Sequence, residues 1–122
     1  MRHRAWNSAG LMEIISNNTS SADTSAPDRD DLHHAGELLR ALAAPVRIAI
    51  VLHLRESQHC VHELVEALEL PQPLVSQHLK VLKAAGVVAG ERSGREVLYR
   101  LVDAHLAEIV VAAVSHAGES RR

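Results

Sequence analysis

The hydrophobic pattern of the 122-residue chain predicts a mainly α-helical domain with one β-hairpin before its last helix. Three observations support this fold class. Apolar residues repeat at helical spacing in four segments between Leu32 and Gly86. The period then changes to about two on both sides of Ser-Gly-Arg at 93–95. A helical pattern returns after Asp103, so we expect four helices, a hairpin and a fifth helix, in that order.

Composition separates a folded domain from an N-terminal arm. The chain is 47% apolar and 23% charged, which is typical of a globular protein. Residues 16–31 are rich in Ser, Thr, Asn and Asp and have almost nothing to bury. We therefore predict a disordered arm over residues 1–31, one folded domain over 32–119 and a tail of residues 120–122. With a single cysteine and no apolar run long enough for a membrane span, we expect a cytoplasmic protein.

Local signals place the ends of the helices. The first helix starts at Leu32 and ends before Pro45, and this proline is tolerated in the first turn of the second helix. A third, short helix starts at Val61 with apolar residues at i, i+3, i+4 and i+7. Pro-Gln-Pro at 71–73 separates it from the fourth helix, which Gly86 ends.

The order of these elements predicts a winged helix-turn-helix. The third and fourth helices form the helix-turn-helix, and the hairpin is the wing. Asp103 is a suitable N-cap for a last helix that reaches about Ala117, with Gly118 as its stop. The fold class is therefore mainly α with a β-hairpin wing, with additional N- and C-terminal dimerisation helices.

The fourth helix has a polar and basic stripe opposite its apolar side. At 100° per residue, Gln72, Ser76, Gln77 and Lys80 share this stripe, which contains no acidic residue. Gln pairs with adenine edges, Ser with several bases, and Lys with phosphate or guanine. Arg95 at the hairpin tip would reach a minor groove. We predict that these residues contact double-stranded DNA, the alternative being an ordinary solvated helix face.

Four potential metal ligands lie at the two ends of the last helix. Asp103 and His105 begin it, and His116 and Glu119 end it. The two histidines are eleven residues apart, so they lie within about 20° of each other but about 16 Å apart along the axis. This distance excludes one ion within one chain. Two antiparallel copies of the helix across a twofold axis would bring the two pairs together at two identical sites.

The same helix offers an apolar seam for that pairing, formed by Leu106, Ile109, Val110, Ala113 and Val114. Two imidazoles and two carboxylates suit Zn²⁺, and Co²⁺ or Ni²⁺ would accept the same donors with extra ligands. Four protein ligands leave no open position for hydrolysis, so we do not expect an enzyme. A second metal site could draw on Cys60, His62 and Glu63, the alternative being a buried cysteine among surface neighbours.

From Leu32 to Glu119 the sequence resembles the ArsR/SmtB family of metal-responsive winged-helix repressors. The segment LRALAAPVRIAIVLHL resembles the family's entry into its second helix, LVSQHLKVLKAAGVV its recognition helix, and GERSGREVLYRL its wing. The pattern D-x-H, ten intervening residues and H-x-x-E is similar to the zinc site of the zinc-sensing branch. Pro73 departs from the family, which has a small polar residue at this position. Cys60-Val61-His62 departs from the soft-metal branch of the family, which has C-x-C in the third helix.

The resemblance implies a homodimer that binds an imperfect palindromic operator, represses transcription and is released when zinc binds. It implies Asp103, His105, His116 and Glu119 as ligands, and it argues against sensing of arsenic, cadmium or lead. Two alternatives stay open. One is a regulator of the same fold that responds to Co²⁺, Ni²⁺ or a non-metal signal, and the other is a DNA-binding protein whose metal is purely structural.

Overall fold

The computed structural model describes residues 26–121, so the predicted arm up to residue 25 lies outside the described residues. The helices and strands, in chain order, are α1 (Arg29–Leu42), α2 (Pro45–Glu56), β1 (His59–Cys60), α3 (Val61–Leu68), α4 (Gln72–Ala84), β2 (Val88–Ser93), β3 (Glu96–Leu101) and α5 (Ala104–Ser120). This order confirms the predicted fold class of helices with a β-hairpin wing. Within residues 26–121, no helix is long and apolar enough to cross a membrane.

The chain divides into two compact units at Gly36, within α1. In the first unit, α1 begins at Arg29, three residues before the predicted start at Leu32. The backbone N–H of Asp31 donates to Oδ1 of Asp28 (2.8 Å), and the N–H of Asp28 donates to Oδ2 of Asp31 (3.2 Å). These reciprocal bonds satisfy N–H groups that a helix start leaves without partners. The acidic residues that predicted an arm therefore cap the helix instead.

The second unit, from Glu37 onwards, has one hydrophobic core. Its fully buried side chains come from α2, α3, α4 and the start of the wing: Ile50, Val51, Leu64, Val75, Leu79, Leu82 and Val87. Burying each such side chain contributes about 1.5–3 kcal/mol. No polar or charged side chain is buried among residues 26–121. The core holds α4 by one side only and leaves its opposite side open to solvent.

The wing is part of a three-stranded antiparallel sheet with the order β1-β3-β2. Ser93 pairs with Glu96, so Gly94 and Arg95 form a two-residue loop. Gly94 has a φ of 65°, which side chains disfavour, and a glycine at this first position is typical of a type II′ hairpin turn. The loop presents Arg95 at the tip of the wing, fully outside the core.

Strand β1 was not predicted. It has only two residues, His59 and Cys60, which pair with Tyr99 and Leu98 of β3. A segment of two residues is too short to show an alternating pattern, so only the fold brings it to the sheet.

Helix α5 runs through Gly118 to Ser120, three residues beyond the predicted end at Ala117. Gly118 therefore does not stop the helix. The Ser120 hydroxyl donates to the backbone oxygen of His116 at 3.0 Å and satisfies a carbonyl of the last turn.

Candidate nucleic-acid interface and metal centre

The predicted DNA-contacting stripe of α4 is exposed. Gln72, Ser76, Gln77 and Lys80 all face solvent. On the other side of the helix Val75, Leu79 and Leu82 are at most 1% exposed. The core thus fixes one face of α4, and the polar face is free to enter a groove.

The turn before α4 contains a residue that the sequence did not single out. Glu69 adopts left-handed backbone angles (φ 54°, ψ 48°), and its N–H donates to the carbonyl of Val65 at the end of α3. This conformation ends α3 and is usually taken by glycine or asparagine. Pro71 then caps α4, and its carbonyl accepts from the N–H groups of Leu74 and Val75. The unusual glutamate therefore sets the angle between the two helices of the helix-turn-helix.

The buried side of α4 is narrower than the sequence predicted. Leu74 and Val81 lie on the apolar side that helical spacing predicts for α4, but they are 36% and 37% exposed. They lie at the edge of the arc, beyond the reach of the core. His78, on the same edge, is half-buried and its Nδ1 lies 3.2 Å from Nη1 of Arg47. This contact makes His78 a packed side chain of α4.

The first half of the candidate metal centre is formed at the N-terminus of α5. Asp103 is the N-cap, and its Oδ1 accepts from the backbone N–H of His105 at 2.9 Å. The same oxygen lies 2.6 Å from Nδ1 of the His105 ring. The cap geometry therefore turns Asp103 towards His105. The two side chains are 52% and 80% exposed, so both are accessible to a partner.

Hydrogen bonding stabilises the charged form of Asp103. The backbone N–H of His105 lowers the pKa of the Asp103 carboxyl, and the His105 imidazole acts in the same direction. Asp103 is thus held as a carboxylate, the form that binds a metal.

The second half of the candidate centre, His116 and Glu119, is exposed in the last turns of α5. Within one chain the two halves do not meet. Across the described part of the chain, no three His, Cys, Asp or Glu side chains converge to hold a metal ion. The four-ligand site stays a prediction that needs a second chain.

The predicted apolar seam of α5 is partly wrong. Leu106 and Val110 are 8% and 2% exposed because they pack into the core of their own chain. Ile109 and Val114 are 36% and 43% exposed, so their own chain does not cover them. The sequence shows only that all these positions are apolar, and the packing of α5 against α2 decides which of them the chain itself uses.

The candidate second metal site contains a helix cap. Oε1 of Glu63 accepts from the backbone N–H of Cys60 at 2.9 Å, and this bond lowers the pKa of the Glu63 carboxyl. Cys60 is only 5% exposed, and burial raises the pKa of its thiol. His62 is exposed. The second site also stays a prediction, because the chain does not gather these three side chains around one point.

An exposed polar recognition helix, a hairpin wing and a helix-turn-helix define a winged-helix DNA-binding protein. The family of bacterial regulatory proteins called arsR matches residues 44–89. The transcriptional repressor SmtB of Mycobacterium tuberculosis H37Rv is 81% identical over 93 residues, which are 76% of this chain and 69% of SmtB. The chain belongs to the ArsR family. This confirms the prediction of a DNA-binding transcriptional repressor that is not an enzyme.

Solved structures show the same architecture. The repressor BigR from Xylella fastidiosa is 34% identical, with a TM-score of 0.64, over 72% of this chain and 94% of BigR. The homodimeric winged helix-turn-helix domain of Mb0332 from Mycobacterium bovis is 24% identical, with a TM-score of 0.69, over 82% of this chain and 93% of that domain. The second likeness supports the fold alone.

Proposed function

We propose that this protein is a zinc-responsive repressor that binds operator DNA as a homodimer and releases it when metal binds. The observation that carries the proposal is the arrangement of α5. It has one pair of ligands at each end, on nearly the same stripe, and the Asp103–His105 pair is already in contact (2.6 Å). The similarity to the repressor SmtB supports the same function.

A homodimer fits the surface of the chain. Ile109 and Val114 on α5 and Leu39 on α1 are 36%, 43% and 53% exposed. A second copy would cover them. In an antiparallel pair of α5 helices, Asp103 and His105 of one protomer meet His116 and Glu119 of its partner. The Mb0332 domain with the same fold is homodimeric.

The donor set fits a divalent metal. Two imidazoles and two carboxylates give a tetrahedral zinc site and neutralise the charge of the ion, and Co²⁺ and Ni²⁺ accept the same donors. All four side chains are exposed, so they can turn towards a common point. When bound, the metal would supply a rigid link between the two α5 helices.

The DNA contacts would come from α4 and the wing. Gln72, Ser76, Gln77 and Lys80 face the major groove, and Arg95 at the wing tip reaches a minor groove or its phosphates. Two such helices in a dimer must lie about 34 Å apart, one turn of DNA, to read two half-sites.

The connection between the two sites runs through α2. Helix α5 packs against α2, and α2 packs against α4. A change in the angle between the two α5 helices therefore moves the two recognition helices relative to each other. A dimer held at another spacing binds its operator less well, which gives a coupling free energy between metal and DNA.

A gel-shift titration tests the proposal. The double variant His105→Ala, His116→Ala should bind operator DNA as tightly as the wild type without zinc, but zinc should no longer release it. His34→Ala is the control, since it removes an exposed histidine outside α5 and outside both candidate metal sites and should keep the zinc response. Zinc-dependent release of the double variant would refute the assignment of the site. Zinc binding by the wild type without release would show a purely structural metal.

A further inference from the structure

Arg47 links three helices of the second unit. It lies in the first turn of α2 and is half-buried. Its Nε donates to the backbone oxygen of Ala41 in the last turn of α1 at 2.6 Å. Its Nη1 lies 3.2 Å from Nδ1 of His78 in the middle of α4. One guanidinium therefore bonds to the end of α1 and to the recognition helix.

At α1, the arginine completes a helix end. The last four carbonyls of a helix lack partners within it. The carbonyls of Arg40 and Leu42 accept from the N–H groups of Ala43 and Ala44 in the connection to α2. The carbonyl of Ala41 accepts from Arg47, whose positive charge also suits the negative end of the helix dipole.

At α4, the contact with Arg47 fixes the tautomer of His78. A guanidinium has only donors and stays protonated, so Nδ1 of His78 must be the acceptor. The ring is then neutral and carries its proton on Nε2. His78 directly follows Gln77 and is two residues after Ser76, both predicted to contact bases.

The contact lies where hydrophobic packing is weak. On the same edge of α4 as His78, Leu74 and Val81 are 36% and 37% exposed. The core therefore packs against α4 through Val75, Leu79 and Leu82, but it makes little hydrophobic contact with the edge that carries His78. A rotation of about 20° about the helix axis would move a side-chain tip by about 2 Å, enough to break a hydrogen bond to a base.

We propose that Arg47 is a positioning residue for DNA recognition, which through His78 fixes the rotation of α4 relative to the end of α1. The role rests on the DNA-binding function proposed above. Arg47 acts on the operator through another side chain and not by contact with a phosphate. Loss of the link lets α4 turn and weakens its base contacts without unfolding the domain.

Four variants test this role. Arg47→Lys keeps the charge but replaces the planar fork of donors with a single nitrogen. His78→Leu removes the acceptor, whereas His78→Asn keeps an acceptor oxygen near the place of Nδ1. Arg55→Lys is the control, because Arg55 is on the same helix but exposed. The probe is a labelled duplex that the wild type enriches from a random 30-base-pair library, and binding is measured by fluorescence anisotropy without metal.

We expect Arg47→Lys and His78→Leu each to weaken binding of the duplex about tenfold, which is the effect of one lost base contact. The double variant should be no weaker than either single variant, because both break one link. His78→Asn and Arg55→Lys should bind within about twofold of the wild type. Thermal melts identify any variant that has lost its fold, and the ¹⁵N shift of His78 Nδ1 should change in Arg47→Lys.

Other results would overturn the proposal. If Arg47→Lys weakens binding but His78→Leu does not, Arg47 acts on DNA without the histidine. If the two losses add in the double variant, the residues are not coupled. A wild type that enriches no duplex would contradict the proposed function itself, which separates the two failures.

Discussion

Mixing two inactive variants should restore part of the zinc binding. One variant, Asp103→Ala with His105→Ala, lacks the first half of the candidate centre, and the other, His116→Ala with Glu119→Ala, lacks the second half. Each variant dimer alone has no complete site. In a mixed dimer, one intact first half faces one intact second half, so one of its two sites has all four ligands.

The expected amount of zinc bound by the mixture follows from the geometry of α5. The two histidines are eleven residues apart on a continuous 17-residue helix, which puts them about 16 Å apart along its axis. No side-chain movement closes that distance to the roughly 2 Å of a zinc bond. Random exchange of equal amounts gives about half mixed dimers with one site each, so the mixture should bind about a quarter of the wild-type zinc.

Zinc binding is measured by competition with a chromophoric chelator, after the two variants are unfolded together and refolded. One control is each variant alone, which should bind no zinc at the α5 site. The other control is protein in which only Cys60 and His62 are changed, taken through the same unfolding and refolding. A mixture that binds no more zinc than the separate variants would refute a site shared between chains. Full binding by either variant alone would refute the ligand assignment.

Three further predictions concern stability. A Cβ added at Gly90 would lie 3.0 Å from Cε1 of Tyr99, so Gly90→Ala should lower the free energy of unfolding by about 1–3 kcal/mol. Gly118 lies in open space on α5, so Gly118→Ala should raise the free energy of unfolding by about 0.5–1 kcal/mol. Thermal melts compare the two variants. Glu69→Gly should stabilise by about 0.5–1 kcal/mol in urea unfolding, because glycine adopts a φ of 54° without strain, and a loss would contradict this. Burial raises the pKa of the Cys60 thiol, so the contribution of this thiol to stability is present below the usual thiol pKa and is lost at higher pH. At pH 8 the native protein should react with iodoacetamide at least about tenfold more slowly than the unfolded protein. Equal rates would refute the burial of Cys60.

The helices and the wing could be predicted because their signals are local. The apolar repeats of α2, α3 and α4 and the Gly94 turn depend on residues only a few positions apart. The N-cap role of Asp103 was also predicted, because an N-cap is a local geometry. The polar stripe of α4 followed from helical spacing alone, since the exposed residues of this helix are polar and its buried residues are apolar.

Other features depend on contacts between distant segments and could not be read from the sequence. The two-residue strand β1 exists only because β3 lies beside it. Helix α1 starts early because two aspartates, typical of an arm, bond to each other. The exposure of Leu74 and Val81 depends on how far the core extends around α4.

The amino-acid sequence alone determined the order of elements, the polar stripe of α4 and the two pairs of potential metal ligands on α5, because periodicity and spacing are properties of neighbouring residues. Only the tertiary structure decided how the faces of these helices are used. It buries Leu106 and Val110 in their own chain and leaves Ile109 and Val114 exposed. It also joins Arg47 to His78, 31 positions away, because packing of α2 against α4 brings together side chains that no local pattern relates.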